Sequence, residues 1–276
     1  MARQKLGQHF LISGKVLERI AVAVCGEHTP LAVEIGPGRG ALTEHLLKRA
    51  DRVVALELDP DLVRHLEVQF FGQFFGQCPP ETRLRIHEMN ALDADWSQWG
   101  PGVLAGNLPY YLASQLISRY LRAPGQLTQG VFLIQKEVAA RITAKPKTRE
   151  YGYLSVECQL LAEVEYLFTV APGAFRPPPE VESAVIRLIP RPTPLVDDIP
   201  AFLAMASAAF RQKRKTLRNN LLVPYELNRL PAETLAKLEL SRRAEELSIP
   251  AFLQLYGNLM ASNALSPCEP HSIPVL

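Results

Sequence analysis

Glu34-Ile35-Gly36-Pro37-Gly38-Arg39-Gly40 closes an apolar run that begins at Leu31 and opens an amphipathic run that begins at Ala41. Strand, glycine turn and helix in that order let the backbone reverse tightly and approach a ligand closely at the end of a strand. Working outward, short apolar runs alternate with stretches of helical spacing as far as about residue 190, the pattern of a parallel sheet covered by helices on both faces. The spacing predicts strands over 31–35, 52–56, 84–87, 103–106 and 130–134, and helices over 41–49, 60–70, 112–121 and 137–143. Asp59 before Pro60 supplies an N-cap and a first-turn proline. Two late strands, over 160–168 and 184–188, follow each other too closely for a crossover and predict an antiparallel hairpin at one sheet edge. The fold class is α/β, a Rossmann-like sheet.

Arg191-Pro192-Thr193-Pro194 has the composition of a linker, and the elements beyond it, over 199–222, 231–238, 244–247 and 250–259, are all helical. Two domains are therefore expected, a ligand-binding catalytic domain over 1–192 and a small helical substrate domain over 193–276. The last dozen residues, with Pro267, Pro270 and Pro274, lack periodicity and are expected to be loose.

With 47% hydrophobic and 21% charged residues, a chain of 276 residues buries a full core. No run approaches the roughly 18 to 20 apolar residues of a membrane helix, and the polar stretch Arg3-Gln4-Lys5-Leu6-Gly7-Gln8 contains no apolar leader. A cytoplasmic, monomeric protein without a membrane partner is expected. Cys25, Cys78, Cys158 and Cys268 are scattered, with no Cys-x-x-Cys pair, so they read as small hydrophobes and neither a metal site nor a disulfide framework is expected. The net charge of +2 selects no partner, but its distribution does: Arg211, Lys213, Arg214, Lys215 and Arg218 fall in one short acid-free segment, and Lys145, Lys147 and Arg149 in another. Such clusters contact a phosphate backbone or form a solvated helix face.

Two ligand classes fit the glycine loop. Residues 36–41 match Gly-x-Gly-x-x-Ala, the fingerprint of a dinucleotide site, and Glu57 at the next strand end can accept ribose hydroxyls in either class. Glu34 favours S-adenosylmethionine, because an acid beside the loop repels a pyrophosphate and suits a sulfonium with an amino-acid tail. At the third strand end the Asn90 amide oxygen can accept from an adenine amino group, or Asn90 is a turn residue.

Asn107-Leu108-Pro109-Tyr110 ends the fourth strand, on the edge of the sheet where ligands sit. An exocyclic adenine amine is a poor nucleophile because its lone pair is delocalised into the ring. Two acceptors, the Asn107 side-chain oxygen and the Leu108 carbonyl directed by Pro109, favour a pyramidal nitrogen and expose that lone pair. Tyr110 offers a face on which a flipped base stacks. No strong base is needed, since the amine becomes acidic as it is methylated, and the segment contains no His, Asp or Glu. The residues themselves thus read as an amine methyltransferase.

With these segments the chain resembles the ribosomal RNA adenine dimethyltransferase family, and within it the bacterial small-subunit branch, the kasugamycin-sensitivity methylases. Further matching segments are Gly7-Gln8-His9-Phe10-Leu11, Glu57-Leu58-Asp59, Gln135-Lys136-Glu137-Val138 and Tyr151-Gly152-Tyr153-Leu154-Ser155-Val156. Phe175-Arg176-Pro177-Pro178-Pro179, Val181-Glu182-Ser183-Ala184-Val185 and the basic stretch from Phe210 to Asn219 complete the match, which spans roughly 3–260. The resemblance implies a class I methyltransferase that dimethylates N6 of two adjacent adenines in a hairpin loop near the 3′ end of 16S rRNA, within the immature small subunit. It implies that His9 and Leu11 touch the cofactor, with Gly36, Gly38, Glu57, Asn90 and Asn107 completing its site, and that Phe175 is a second aromatic on the target base. His9 stands where Asn is frequent, though an imidazole still donates one hydrogen bond. Asn90 stands where Asp is usual, which weakens adenine binding by at most ~1 to 2 kcal/mol, the difference between a charged and a neutral hydrogen bond.

Four rivals remain at this level: a nicotinamide dehydrogenase, an amine methyltransferase acting on protein or DNA, a large-subunit rRNA methyltransferase, and a non-catalytic assembly factor. Against the first, the six histidines form no hydride-transfer constellation.

Overall fold

The computed structural model describes residues 9–72, 83–122 and 125–262. Gly7, Gln8, Cys78, Cys268 and the proline-containing tail lie outside the described residues. In chain order the elements are β1 (Phe10–Leu11), α1 (Gly14–Val24), β2 (Thr29–Ile35), α2 (Ala41–Leu47), β3 (Ala50–Glu57), α3 (Pro60–Phe71), β4 (Leu84–Glu88) and β5 (Gly102–Asn107). They continue with α4 (Ala113–Arg122), β6 (Leu127–Gln135), α5 (Lys136–Ile142), α6 (Tyr153–Leu161), β7 (Ala162–Val170), β8 (Phe175–Arg176) and β9 (Ser183–Pro190). Helices α7 (Ile199–Phe210), α8 (Leu217–Leu221), α9 (Ala232–Lys237) and α10 (Ile249–Ala261) complete the series.

The main sheet has seven strands in the order β4-β3-β2-β5-β6-β9-β7. The first five are parallel; β9 pairs antiparallel with both β6 and β7, which is the expected edge hairpin. Chain direction across the sheet reverses between β2 and β5, whose ends meet in register at Ile35 and Gly106. That reversal opens a crevice at the carboxyl ends of the strands, and it receives both the glycine loop after β2 and Asn107 at the end of β5. Because successive strand residues point to opposite faces, Ala32, Val53, Ala55, Val103 and Ala105 share one core with Leu17, Ile20, Ala21 and Val24 of α1 and Leu42 and Leu46 of α2. Cys25 is buried beside them and Cys158 is buried in α6, both as free thiols.

The chain divides into two compact units: residues up to Ala140 with Ala162–Pro190, and Arg141–Leu161 with the residues from Arg191 onward. The segment Arg141–Leu161, left in the first domain by the sequence reading, thus belongs with the C-terminal helices. Its physical tie is a second core in which Tyr151, Val156 and Leu160 pack with Phe202, Leu217 and Phe252, while the Tyr151 hydroxyl donates to the Leu247 carbonyl at 2.9 Å. The same packing makes Leu160 and Leu161 the end of α6, so the strand expected from 160 begins at Ala162, with Leu167 bulged out of the pairing. The long helix expected over 199–222 stops at Phe210 and resumes at Leu217. Helix α1, which the sequence reading names nowhere, carries much of the first core. Among the described residues no helix is long and apolar enough to cross a membrane.

Candidate functional site

Three glycines shape the loop after β2, at φ +64°, +59° and +78° for Gly36, Gly38 and Gly40. A Cβ at Gly38 would lie 3.1 Å from the Phe10 ring, and one at Gly40 would lie 2.7 Å from the Phe70 ring, so left-handed backbone and close packing both select glycine. Phe10 covers the loop and carries Arg39 on its other contact, the guanidinium carbon 4.9 Å from the ring centre. Three loop amides are already engaged: Gly36 N donates to Leu56 O, Gly40 N to Pro37 O, and Gly38 N to Glu57 Oε2. Those three are not available to a phosphate.

The sequence reading drew a preference for a ligand without phosphate from the charge of Glu34, and that reason does not hold. Glu34 is 1% exposed and accepts a hydrogen bond from the Thr43 hydroxyl at 2.6 Å. Burial pushes its carboxyl up to about 7, with the Thr43 bond opposing and the Glu57 charge reinforcing. Glu34 is an anchor between β2 and α2 beneath the loop, not a charge presented to ligand.

Glu57 ends β3 as expected, with its carboxylate already committed to three backbone donors. Oε2 accepts from Gly38 N at 3.0 Å, and Oε1 from Leu58 N at 2.9 Å and Asp59 N at 3.0 Å. A carboxylate has about four lone-pair positions, so one remains, on Oε2. Glu57 can take one ribose hydroxyl directly; taking both requires release of a backbone donor. Burial raises its pKa, and the three N–H bonds partly offset this.

Asn107 is fixed from the opposite side. Its Nδ2 donates to the main-chain carbonyl of His9 at 3.2 Å, and because a carbonyl only accepts, the amide orientation is determined and Oδ1 is left as an acceptor. Leu108 is buried and its N–H donates to Leu133 O at 3.0 Å, which holds in place the residue whose carbonyl is the second expected acceptor. Pro109 is exposed, and the Tyr110 hydroxyl bonds Ser183 Oγ at 3.0 Å, holding the half-buried ring. The His9 ring stacks on Tyr110, with centroids 5.9 Å apart and planes at 26°. His9 Nδ1 donates to Pro177 O at 2.8 Å, so that ring nitrogen is taken and is not a donor for the cofactor.

Leu11 and Phe175 pair with each other across β1 and β8, and both side chains lie in the first core, at 6% and 3% exposure. The Leu11 side chain is therefore not presented to a ligand. Phe175 packs as a core ring, whereas Tyr111, next in chain to Tyr110, is an aromatic that is 64% exposed. The Asn90 side-chain oxygen accepts from Leu92 N at 3.0 Å, capping a short 3-10 turn, so the turn reading holds and only a second lone pair serves a ligand. Sequence reasoning also passed over Phe10, Ser183 and Pro177; an aromatic next to a site residue was the only available signal.

In the second unit Arg211, Lys213, Arg214, Lys215 and Arg218 are all exposed, and the first four form the turn between α7 and α8 instead of a helix face. Buried Asn220 ties that turn down by donating to Ala209 O at 2.6 Å and Gln212 O at 3.1 Å. Lys213 Nζ also donates to Arg149 O, which joins the two basic clusters of the sequence into one neighbourhood. Among the described residues no group of three or more His, Cys, Asp or Glu is placed to hold a metal ion.

A left-handed glycine loop after β2, an acid at the end of β3 and an oriented Asn-Leu-Pro-Tyr at the end of β5 define a Rossmann-like methyltransferase. The chain belongs to the ribosomal RNA adenine dimethylase family, whose model matches residues 1–260. It is 39% identical over 258 residues to the "Ribosomal RNA small subunit methyltransferase A" of Nitrosospira multiformis, covering 92% of this chain and 94% of that protein. The protein of the same name from Acidobacterium capsulatum is 40% identical over 261 residues, covering 93% and 91%. In fold the chain is similar to a dimethyladenosine transferase from Plasmodium falciparum, at TM-score 0.79 and 23% identity over 92% of this chain and 98% of that one. It is also similar to the 23S rRNA methyltransferase ErmE, at TM-score 0.67 and 26% identity over 91% and 99%.

Proposed function

We propose that the chain transfers methyl groups from S-adenosylmethionine to N6 of two adjacent adenines in a hairpin loop near the 3′ end of 16S rRNA. The products are N6,N6-dimethyladenines, formed in the cytoplasm during small-subunit assembly, with the enzyme acting as a monomer on the immature subunit. The observation that carries the chemistry is the fixed amide of Asn107. With Nδ2 held by His9 O, Oδ1 accepts one hydrogen of the target amine while the Leu108 carbonyl accepts the other. Those two bonds draw the nitrogen towards a pyramidal geometry and steady the positive charge that forms on it. S-adenosylmethionine supplies an electrophilic methyl group next to a sulfonium. Glu57 holds a ribose hydroxyl through its remaining lone pair, Asn90 accepts at the adenine edge, and the glycine loop gives close approach. Tyr110, braced by Ser183, stacks on the flipped base; the exposed basic turn from Arg211 to Arg218 and the adjoining Lys145, Lys147 and Arg149 contact the RNA backbone.

The small-subunit target is preferred to the large-subunit one because the relatives named for the small subunit match at 39 and 40%, against 26% for ErmE. Tritium transfer from labelled cofactor tests the reading. Label in the 16S rRNA of unmethylated small subunits is expected; label in 23S rRNA, protein or duplex DNA instead would overturn it.

A further inference from the structure

A recess of about 280 Å³ lies on the sheet away from the cofactor crevice, lined by Arg52, Arg83, Arg85, His87, Gln98 and Trp99 among others. Strand alternation creates it. Val54 pairs with Arg85 and Leu56 with His87, so Arg52, Arg85 and His87 share the face opposite to the core residues Val53, Ala55 and Leu84. The segment carrying the buried Trp99 forms one wall, with its ring 6.3 Å from that of His87.

Among the described residues no carboxylate lines the recess, and Asp51, next in chain to Arg52, points to the other face, where it pairs with His28 at 3.6 Å. Arg83 is spent on the carbonyls of Leu47, Ala50 and Asp51. Among the described residues Arg52 and Arg85 are exposed and have neither a hydrogen-bond nor an ion-pair partner. Their strands are neighbours and Arg85 lies opposite Val54, so the two guanidinium-bearing residues are diagonal neighbours about 8 Å apart in backbone position. Arg52 precedes Glu57 by five residues on β3, roughly 16 Å at about 3.3 Å per residue, which is too far to touch a ligand held at Glu57.

We propose that this recess binds the phosphodiester backbone of the rRNA substrate outside the methylated loop, through Arg52 and Arg85. The inference rests on the rRNA reading above. Guanidinium forks match phosphate oxygens, and an open cationic groove with no acid among its described lining residues complements a polyanionic strand. A protective role for charges on an edge strand is the competing explanation, since β4 is the sheet edge.

The test is the full-length Arg52→Gln, Arg85→Gln double variant, which keeps a polar edge and removes both charges. Its Kd for naked 16S rRNA and for unmethylated small subunits should rise about 10-fold, and its log Kd against log[KCl] slope should flatten by about 1.5, two contacts at ~0.7 to 0.9 each. Adenosylhomocysteine affinity and kcat at saturating RNA should stay at wild-type values, which also shows the variant is folded. An unchanged Kd and slope would overturn the proposal in favour of edge protection. Weaker binding to subunits alone, with naked rRNA unaffected, would assign the recess to an acidic protein and overturn it equally. A wild-type protein that neither binds nor methylates RNA would refute the underlying reading, a result separable from either.

Discussion

The side-chain nitrogen of Asn107 donates to the main-chain carbonyl of His9, 98 residues earlier in the chain, at 3.2 Å. The contact uses backbone at position 9, so it survives any side chain there, while the Asn107 end cannot be replaced. Asn107→Ala should lower kcat by ~10²-fold or more, the scale for loss of one preorganised polar group, while RNA affinity stays within a few-fold. Single-turnover methyl transfer alongside filter binding checks this. Equal loss of both would make Asn107 a folding or RNA contact and not a catalytic residue.

Tyr110 separates its ring from its hydroxyl. Tyr110→Phe loses only the bond to Ser183 and should cost about 1 kcal/mol, roughly a five-fold loss in kcat/KM. Tyr110→Ala also removes the stacking face, worth about 1 to 3 kcal/mol per base, and should cost far more. Similar kcat/KM values for the two variants would remove Tyr110 from base recognition.

Glu34 predicts a pH signature. Its folded pKa is raised from 4.5 to about 7, so the folded state binds the proton more tightly than the unfolded chain. The resulting stabilisation is present below about 4.5 and is lost as pH rises through 7. Glu34→Gln retains a partner for Thr43 and cannot titrate. Its Tm relative to wild type should therefore increase steadily between pH 4.5 and 7 and level off above; a difference constant with pH would show that Glu34 stays charged.

The basic turn is testable by salt. Replacing Arg211, Arg214 and Lys215 with Gln should weaken rRNA binding and flatten its salt dependence, by ~0.7 to 0.9 per lost phosphate contact. Binding titrations across a KCl series measure it, and an unchanged slope would return these side chains to plain solvation.

The parallel strands, the edge hairpin and the two ligand-bearing strand ends were legible because each is a local pattern: a buried apolar run, a close strand pair, a glycine turn. What was not legible depends on distant partners. Leu160 and Leu161, the last two residues of helix α6, read as the start of a strand until Tyr151, Val156 and Leu160 find the C-terminal core. Glu34 looks like a ligand-facing acid until Thr43 and its burial are seen, and Phe175 like a stacking ring until Leu11 covers it. Free amides in a glycine loop cannot be told from engaged ones in sequence, and the Gly38 amide is taken by Glu57. His9 was expected to donate to the cofactor, and only the position of Pro177 O shows that its Nδ1 is in use.

Mass spectrometry of the 3′ fragment of 16S rRNA, after reaction of unmethylated small subunits with wild-type protein and with Asn107→Ala, tests the central claim most directly. Two adjacent adenines each gaining two methyl groups with the wild type, and none with the variant, is the predicted result. Methylation elsewhere, or an equal gain with Asn107→Ala, would contradict it.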